Sequence, residues 1–235
     1  MIVTLITSCI VSDIMKLTRK AGRPRAFDPN EALHKALMAF WKHGYEGTSM
    51  AHLQEATGLT APQIYRAFES KERLFEHAVR LYQEEYGFGL SDRLPFHDAI
   101  HDYLDRAARE FTTEPGLGCF VSTGVLAAGQ GGKAAAAVVR AERDQAIVGL
   151  SARIADAVAT GELHESVDVT GLSRTIAALI QGMSVQARDG ASCDTLRKLV
   201  ATVEILLAPF SKEQVSTRTP TSNGISTERK SHERS

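Results

Sequence analysis

The stretch TGLTAPQIYRAFESKERLF, residues 57–75, packs two helix starts into nineteen positions, and so tight a spacing leaves few folds open. Thr60 opens a helix that carries Ile64 and Phe68 four apart on one side, the spacing of a single buried face. Ser70 caps a longer helix with Leu74, Phe75, Ala78, Val79 and Tyr82 inward, running to about Gly87. Upstream, Thr48 or Ser49 caps a short segment in which Met50 and Leu53 face inward, and Gly58 breaks it. Two short helices joined through Ala56, Thr57, Gly58 and Leu59 have the dimensions of a helix-turn-helix.

A further helix precedes these. In FDPNEALHKALMAFWKHG, Asp28 can cap, Pro29 suits the first helical position and Glu31 completes a capping-box-like D-x-x-E. Leu33, Ala36, Leu37 and Phe40 recur at helical spacing, and Gly44 is a good terminator. After a joint at 88–94 the periodicity predicts helices near 95–113, 117–129, 132–160, 169–189 and 192–208, broken at Pro115/Gly116, Gly131/Gly132, Gly161 and Gly190. With 43% hydrophobic residues there is enough to bury a core, and no alternating β-branched run appears. The expectation is an all-α fold of about nine helices. It divides into residues 1–26 as apolar leader and flexible basic arm, 27–87 as a helix-turn-helix unit with its connecting helix, 88–210 as a larger helical domain, and 211–235 as a disordered polar tail.

Charge is segregated along the chain although the total is -1. Residues 16–71 hold nine Lys/Arg against five Asp/Glu, whereas residues 91–210 hold eleven against fifteen, so one end is suited to an anion. Lys16, Arg19, Lys20, Arg23 and Arg25 place five cations in ten residues with no acid, and Gly22 and Pro24 argue against helix there. Cys9, Cys119 and Cys193 are odd in number and far apart, which supports neither a disulfide framework nor a CxxC metal site and fits a reducing cytoplasm. MIVTLITSCIVSDIM lacks a basic residue ahead of its apolar run and is too short to span a bilayer. Met15 is the expected natural start. No membrane, cofactor or metal is expected.

The helix opening at Thr60 reads as a probe. Thr60, Ala61, Pro62 and Gln63 are small or hydrogen-bonding, so its tip can enter a major groove without steric block. Tyr65 and Arg66 lie just behind, where a phenol and a guanidinium meet phosphates or a base edge. Lys71 adds a positive charge beside free backbone N–H groups, and Thr48 and Ser49 offer hydroxyls at another helix start. Thr60 and Gln63 also satisfy T-x-x-Q, so Gln63 is a candidate to fold back and cap its own helix.

These residues carry a resemblance. GYEGTSMAHLQEATGLTAPQIYRAFESKERLF resembles the N-terminal domain of the TetR (tetracycline repressor) family of transcriptional regulators, the match running from about Phe27 to Tyr82. The resemblance implies that the third helix reads the major groove through Thr60, Ala61, Pro62, Gln63 and Arg66, with Tyr65, Lys71, Thr48 and Ser49 on phosphates. Arg23 and Arg25, in a flexible GRPR arm, are placed to enter an adjacent A·T-rich minor groove.

The resemblance further implies a homodimer on a (pseudo)palindromic double-stranded operator, repression of transcription, and release by a small-molecule or redox effector. The dimer interface is expected on the last two long helices: Ile176, Leu179, Ile180, Met183 and Ala187 form one apolar stripe, continued by Leu196, Leu199, Val200, Val203, Leu206 and Leu207. Phe88, Phe96, Tyr103, Phe111, Phe120 and Met183 are candidates to line an effector pocket, with Thr123 and Gln181 as polar handles. Cys119 is the candidate redox trigger. Other classes fit less well. GQGGKA at 129–134 lacks the first glycine and the Ser/Thr of a phosphate loop, His97 and His101 sit i, i+4 on what reads as a solvated face, and no nucleophile elbow or HExxH occurs. An architectural DNA binder without a ligand is the remaining alternative to a ligand-controlled regulator, ahead of an enzyme.

Overall fold

The computed structural model describes residues 27–125 and 132–210; the leader, the basic arm with Arg23 and Arg25, and the polar tail lie outside them. Among the described residues nine α-helices follow in order: α1 (Pro29–Gly47), α2 (Met50–Thr57), α3 (Ala61–Phe68), α4 (Lys71–Tyr86), α5 (Phe96–Thr113), α6 (Phe120–Thr123), α7 (Lys133–Ala159), α8 (Val169–Arg188) and α9 (Cys193–Leu207), closed by a 3-10 turn, Ala208–Phe210. Among the described residues there is no strand, as the pattern implied.

Local chemistry sets the helix starts. Asp28 accepts the Asn30 amide at 2.9 Å, and Ser49 and Ser70 cap α2 and α4 by accepting from His52 and Arg73. The reciprocal bond expected of Glu31 is not made: its carboxylate reaches Lys35, 2.7 Å away one turn on, where an ammonium outcompetes a neutral amide. Gly44, at φ 71° and ψ 169°, interrupts α1 where termination was expected and turns its last residues in a new direction. Thr57 knits the α2–α3 turn, its hydroxyl donating to the Leu53 carbonyl at 2.6 Å and accepting the Leu59 amide at 3.2 Å.

Two cores result. The first gathers the inner faces of α1 to α4 around Phe40, Trp41, Leu53, Ile64 and Phe75, and recruits Phe120, Val121 and Val139 from later in the chain. Phe40 and Phe75 meet edge to face at 5.2 Å, and Phe75 meets Phe120 at 5.4 Å. The second core packs α5 against α7, α8 and α9 through Leu104, Ile154, Met183 and Leu196.

Residues 117–125 tie the two together. Positive φ at Gly116 and Gly118 delays the helix expected from 117, so α6 is a single turn from Phe120; residues 126–131 of the expected 117–129 helix lie outside the described residues. The Gly118 carbonyl accepts the Trp41 indole N–H at 3.0 Å, and the Gly124 carbonyl accepts the Tyr45 amide at 3.0 Å. The Cys119 amide donates to Ser184 Oγ on α8 at 2.7 Å. Arg188, at the end of α8, donates to Thr123 Oγ1 at 3.3 Å and to the Lys42 carbonyl on α1 at 3.2 Å. The α1–α4 head is therefore bonded to the body through this short strap and, beside it, directly by Arg188 to α1 and by α4 against α7.

Candidate nucleic-acid interface and ligand cavity

Helix α3 buries Ile64 and Phe68 and turns Tyr65 and Arg66 outward, Tyr65 with 48% of its surface exposed. Arg66 makes no hydrogen bond or ion pair among the described residues, so its fork is available to a partner. Pro62 and Thr60 are exposed at the tip and Ala61 is half-buried. Gln63 folds back as T-x-x-Q allowed, its Oε1 accepting both the Thr60 amide and the Thr60 hydroxyl at 2.8 Å. That leaves the Gln63 amide nitrogen as its free donor.

Ser49 is exposed at the start of α2, but its hydroxyl and amide are both engaged with His52. Thr48 is placed differently from expectation. It is fully buried, its hydroxyl donating to the Gly44 carbonyl at 2.7 Å and its amide to Tyr45 O at 3.3 Å. A hydroxyl next to a bent helix end satisfies the orphan carbonyls there before it can meet solvent. Lys71 sits at the first position of α4 with its ammonium 4.2 Å from the centre of the Tyr45 ring. Burial lowers its pKa from the ordinary lysine range, while Glu46 and Glu72 pull the other way. The Tyr45 hydroxyl donates to Glu72 at 2.9 Å. Burial, then that bond, pushes the phenol well above its usual range. Tyr45 had no place in the sequence reading; it is a core aromatic whose ring doubles as the seat of a cation.

The body contains a cavity of about 110 Å³ where α4, α5, α7 and α8 meet the strap. Of the expected lining, Phe88, Tyr103, Phe111, Cys119 and Gln181 are there. Phe96, Phe120, Thr123 and Met183 are not: all four are buried in the two cores or the strap, Phe96 under Arg153 and Thr123 bonded to Cys119 O. Helical spacing gives the buried face and not which part of it borders a void. The sequence reading missed Tyr82, Tyr86, Glu142 and Arg143 in the lining. Glu142 accepts from Gln83 of α4 at 3.1 Å, and Arg143 reaches the Ser122 carbonyl at 3.5 Å. Burial, with Cys119 nearby, pushes the Tyr103 phenol up to about 12 and raises that of Tyr82 further. The cavity opens into a wider groove along α7 that shares Gln83, Phe88, Tyr103 and Glu142.

On α8 and α9, Ile176, Met183, Ala187, Leu196, Val200 and Leu207 of the expected interface stripe are buried within the chain. Exposed beside them are Val185 (41%), Ile205 (74%) and Leu206 (65%), and a methyl built on Gly182 would meet nothing within 4 Å. Among the described residues no cluster of three metal-ligating side chains occurs, and no helix is long and apolar enough to cross a membrane.

Residues 32–78 match the family model described as bacterial regulatory proteins, tetR family. The HTH-type transcriptional repressor ComR of Escherichia coli strain K12 is 32% identical over 200 residues, 82% of this chain and 95% of its own. Among solved structures, the TetR family regulator CifR, a cysteine mutant complexed with 26 bp of double-strand operator DNA, matches with a TM-score of 0.74 at 32% identity, covering 78% of this chain and 98% of that one. A TetR transcriptional regulator from Chloroflexus aurantiacus matches at 0.67 and 26% identity over 78% and 95% of the two chains. These relatives are regulators and not enzymes.

Proposed function

The chain belongs to the TetR family of bacterial regulatory proteins and is a DNA-binding transcriptional regulator; on that premise we propose that it acts in the cytoplasm as a dimeric repressor whose hold on its operator is released by a small molecule. The observation that carries the reading is α3, eight residues long, with Ile64 and Phe68 anchoring it and Tyr65 and Arg66 facing out, Arg66 without a partner among the described residues.

Arg66 and the tip residues Thr60, Ala61 and Pro62 read base edges, while Tyr65, Lys71 and the α2 start at Ser49 seat phosphates. The Arg23 and Arg25 arm adds minor-groove contacts. Two copies joined through the exposed apolar face of α8 and α9 set two such tips on half-sites roughly 34 Å apart. ComR, a repressor by name, supports the sign of regulation, and the CifR complex supports duplex DNA as the partner. The cavity is the effector site. Its floor includes Tyr82 and Tyr86 of α4 and Cys119 and Val121 of the strap, the two elements that fix the reading head, so an occupant that favours one arrangement shifts the population of binding-competent dimers.

The test is titration of a labelled fragment of the upstream region, followed by fluorescence anisotropy across a range of salt. Arg66→Ala should cost about 1–3 kcal/mol of affinity, and Lys71→Ala should flatten the slope of log affinity against log salt by about 0.9. Wild-type affinity in Arg66→Ala would remove α3 from the interface.

A further inference from the structure

Resting on the reading of the cavity as an effector site, we propose that its ligand is a compact carboxylate with a one-ring or short branched hydrocarbon body, held through Arg143. Arg143 is half-buried on α7, lines the cavity, and has no carboxylate within ion-pair range among the described residues. Its one hydrogen bond among the described residues, to the Ser122 carbonyl at 3.5 Å, occupies a single donor of five. A guanidinium fork set in an aromatic cavity and left without an acid fits a bidentate anion better than any neutral group.

The rest of the polar lining points the same way. One Gln83 N–H donates to Glu142 Oε2, and Glu142, although it lines the same cavity, is not within ion-pair range of Arg143. Tyr103, whose phenol burial keeps protonated, and the Gln181 amide are further donors at the wall. Glu142 makes no ion pair with Arg143 among the described residues, so the acceptor for the guanidinium fork is the ligand's to supply. Phe88, Phe111, Leu150 and Ile180 offer the apolar contacts for its body. The volume of about 110 Å³ lies far below the roughly 300–1,000 Å³ of sites for drug-sized molecules, so the enclosed part takes a single ring or its equivalent, and anything longer extends into the groove along α7.

Three one-ring probes that differ in charge separate the possibilities: benzoate, benzamide and benzylamine, titrated calorimetrically into the full-length protein and added in parallel to its complex with operator DNA. Benzoate is expected to bind at least tenfold more tightly than benzamide, with benzylamine weakest. Arg143→Gln should erase the preference and Arg143→Lys, which keeps the charge but not the fork, should retain part of it, both variants checked for an unchanged thermal transition. Equal or tighter binding of benzamide or benzylamine, no binding of benzoate, or wild-type benzoate affinity in Arg143→Gln overturns the carboxylate assignment. Arg143-dependent binding that leaves the DNA complex intact sustains it while removing the effector role. Release of DNA by benzamide but not benzoate keeps the effector site and overturns the anion.

Discussion

Replacing Gly118 by alanine tests whether the strap is as tightly seated as its geometry says. Gly118 has φ 62°, and a methyl built on it would lie 2.4 Å from the Ser184 carbonyl oxygen and 3.0 Å from Ser184 Oγ. The left-handed backbone alone costs an L-residue about 1–2 kcal/mol. The methyl cannot be accommodated by a rotamer change, because its neighbour is helix backbone; the strap or α8 must move. Movement strains the Trp41 bond to Gly118 O and the Cys119 bond to Ser184, at about 1 kcal/mol each if lost. The expected loss is about 3–4 kcal/mol. Gly58 is the internal control, since its φ of 71° carries the same backbone cost but nothing lies within 4 Å of its added methyl, so Gly58→Ala should lose only about 1–2 kcal/mol. Thermal melts at one fixed protein concentration should separate the two, at roughly 2–4 °C per kcal/mol for a chain of this size. Equal losses would mean that Gly118 is needed for its φ alone and that the strap is loosely seated.

Other outcomes follow from the head. Ser49→Ala removes the cap of α2 and should lower stability in urea melts by about 1 kcal/mol. Glu69 is the centre of a γ-turn between α3 and α4, with φ 67°, ψ -51° and the Ser70 amide 2.7 Å from Phe68 O; Glu69→Gly should be neutral or stabilising by up to about 1 kcal/mol, whereas Glu69→Val should destabilise by more than that. The Glu72 carboxyl is held below its usual range by its own backbone amide, then by Ser70 and Tyr45. A depressed folded pKa contributes stability at pH above the unfolded value near 4.3, and that contribution is lost as pH falls through the folded value. Tyr45→Phe, which keeps the ring under Lys71, should therefore raise the midpoint of acid unfolding followed by circular dichroism; an unchanged midpoint would show that the Tyr45 bond does not hold Glu72.

The reading head was legible in the sequence because its determinants act over three or four residues. A serine at a helix start, a glycine just past a helix end and a Thr-x-x-Gln box each satisfy local backbone groups, so Gly58, Ser70 and Gln63 could be placed, and the α2 cap narrowed to Thr48 or Ser49, before any tertiary contact was known. The buried face of α4, from Leu74 to Tyr82, likewise follows from spacing on one helix. Thr48 failed the same reading because the bend at Gly44 presents it with carbonyls that no sequence pattern announces.

Beyond the head, periodicity supplied helices and tertiary structure supplied their assignments. An apolar stripe states that a face is covered, and on α8 and α9 the cover proved to be the chain's own core for Met183 and Leu196, leaving Val185, Ile205 and Leu206 outside. The cavity depends on contacts between residues distant in the chain, 59 apart for Gln83 and Glu142 and 21 for Arg143 and Ser122, and Glu142 and Arg143 read as an ordinary solvated helix surface until α4 and the strap close over them. Local hydrogen bonding fixed the helices of the head in advance; where a void remains between helices is decided only by how all of them pack, because a cavity is the property of no single segment.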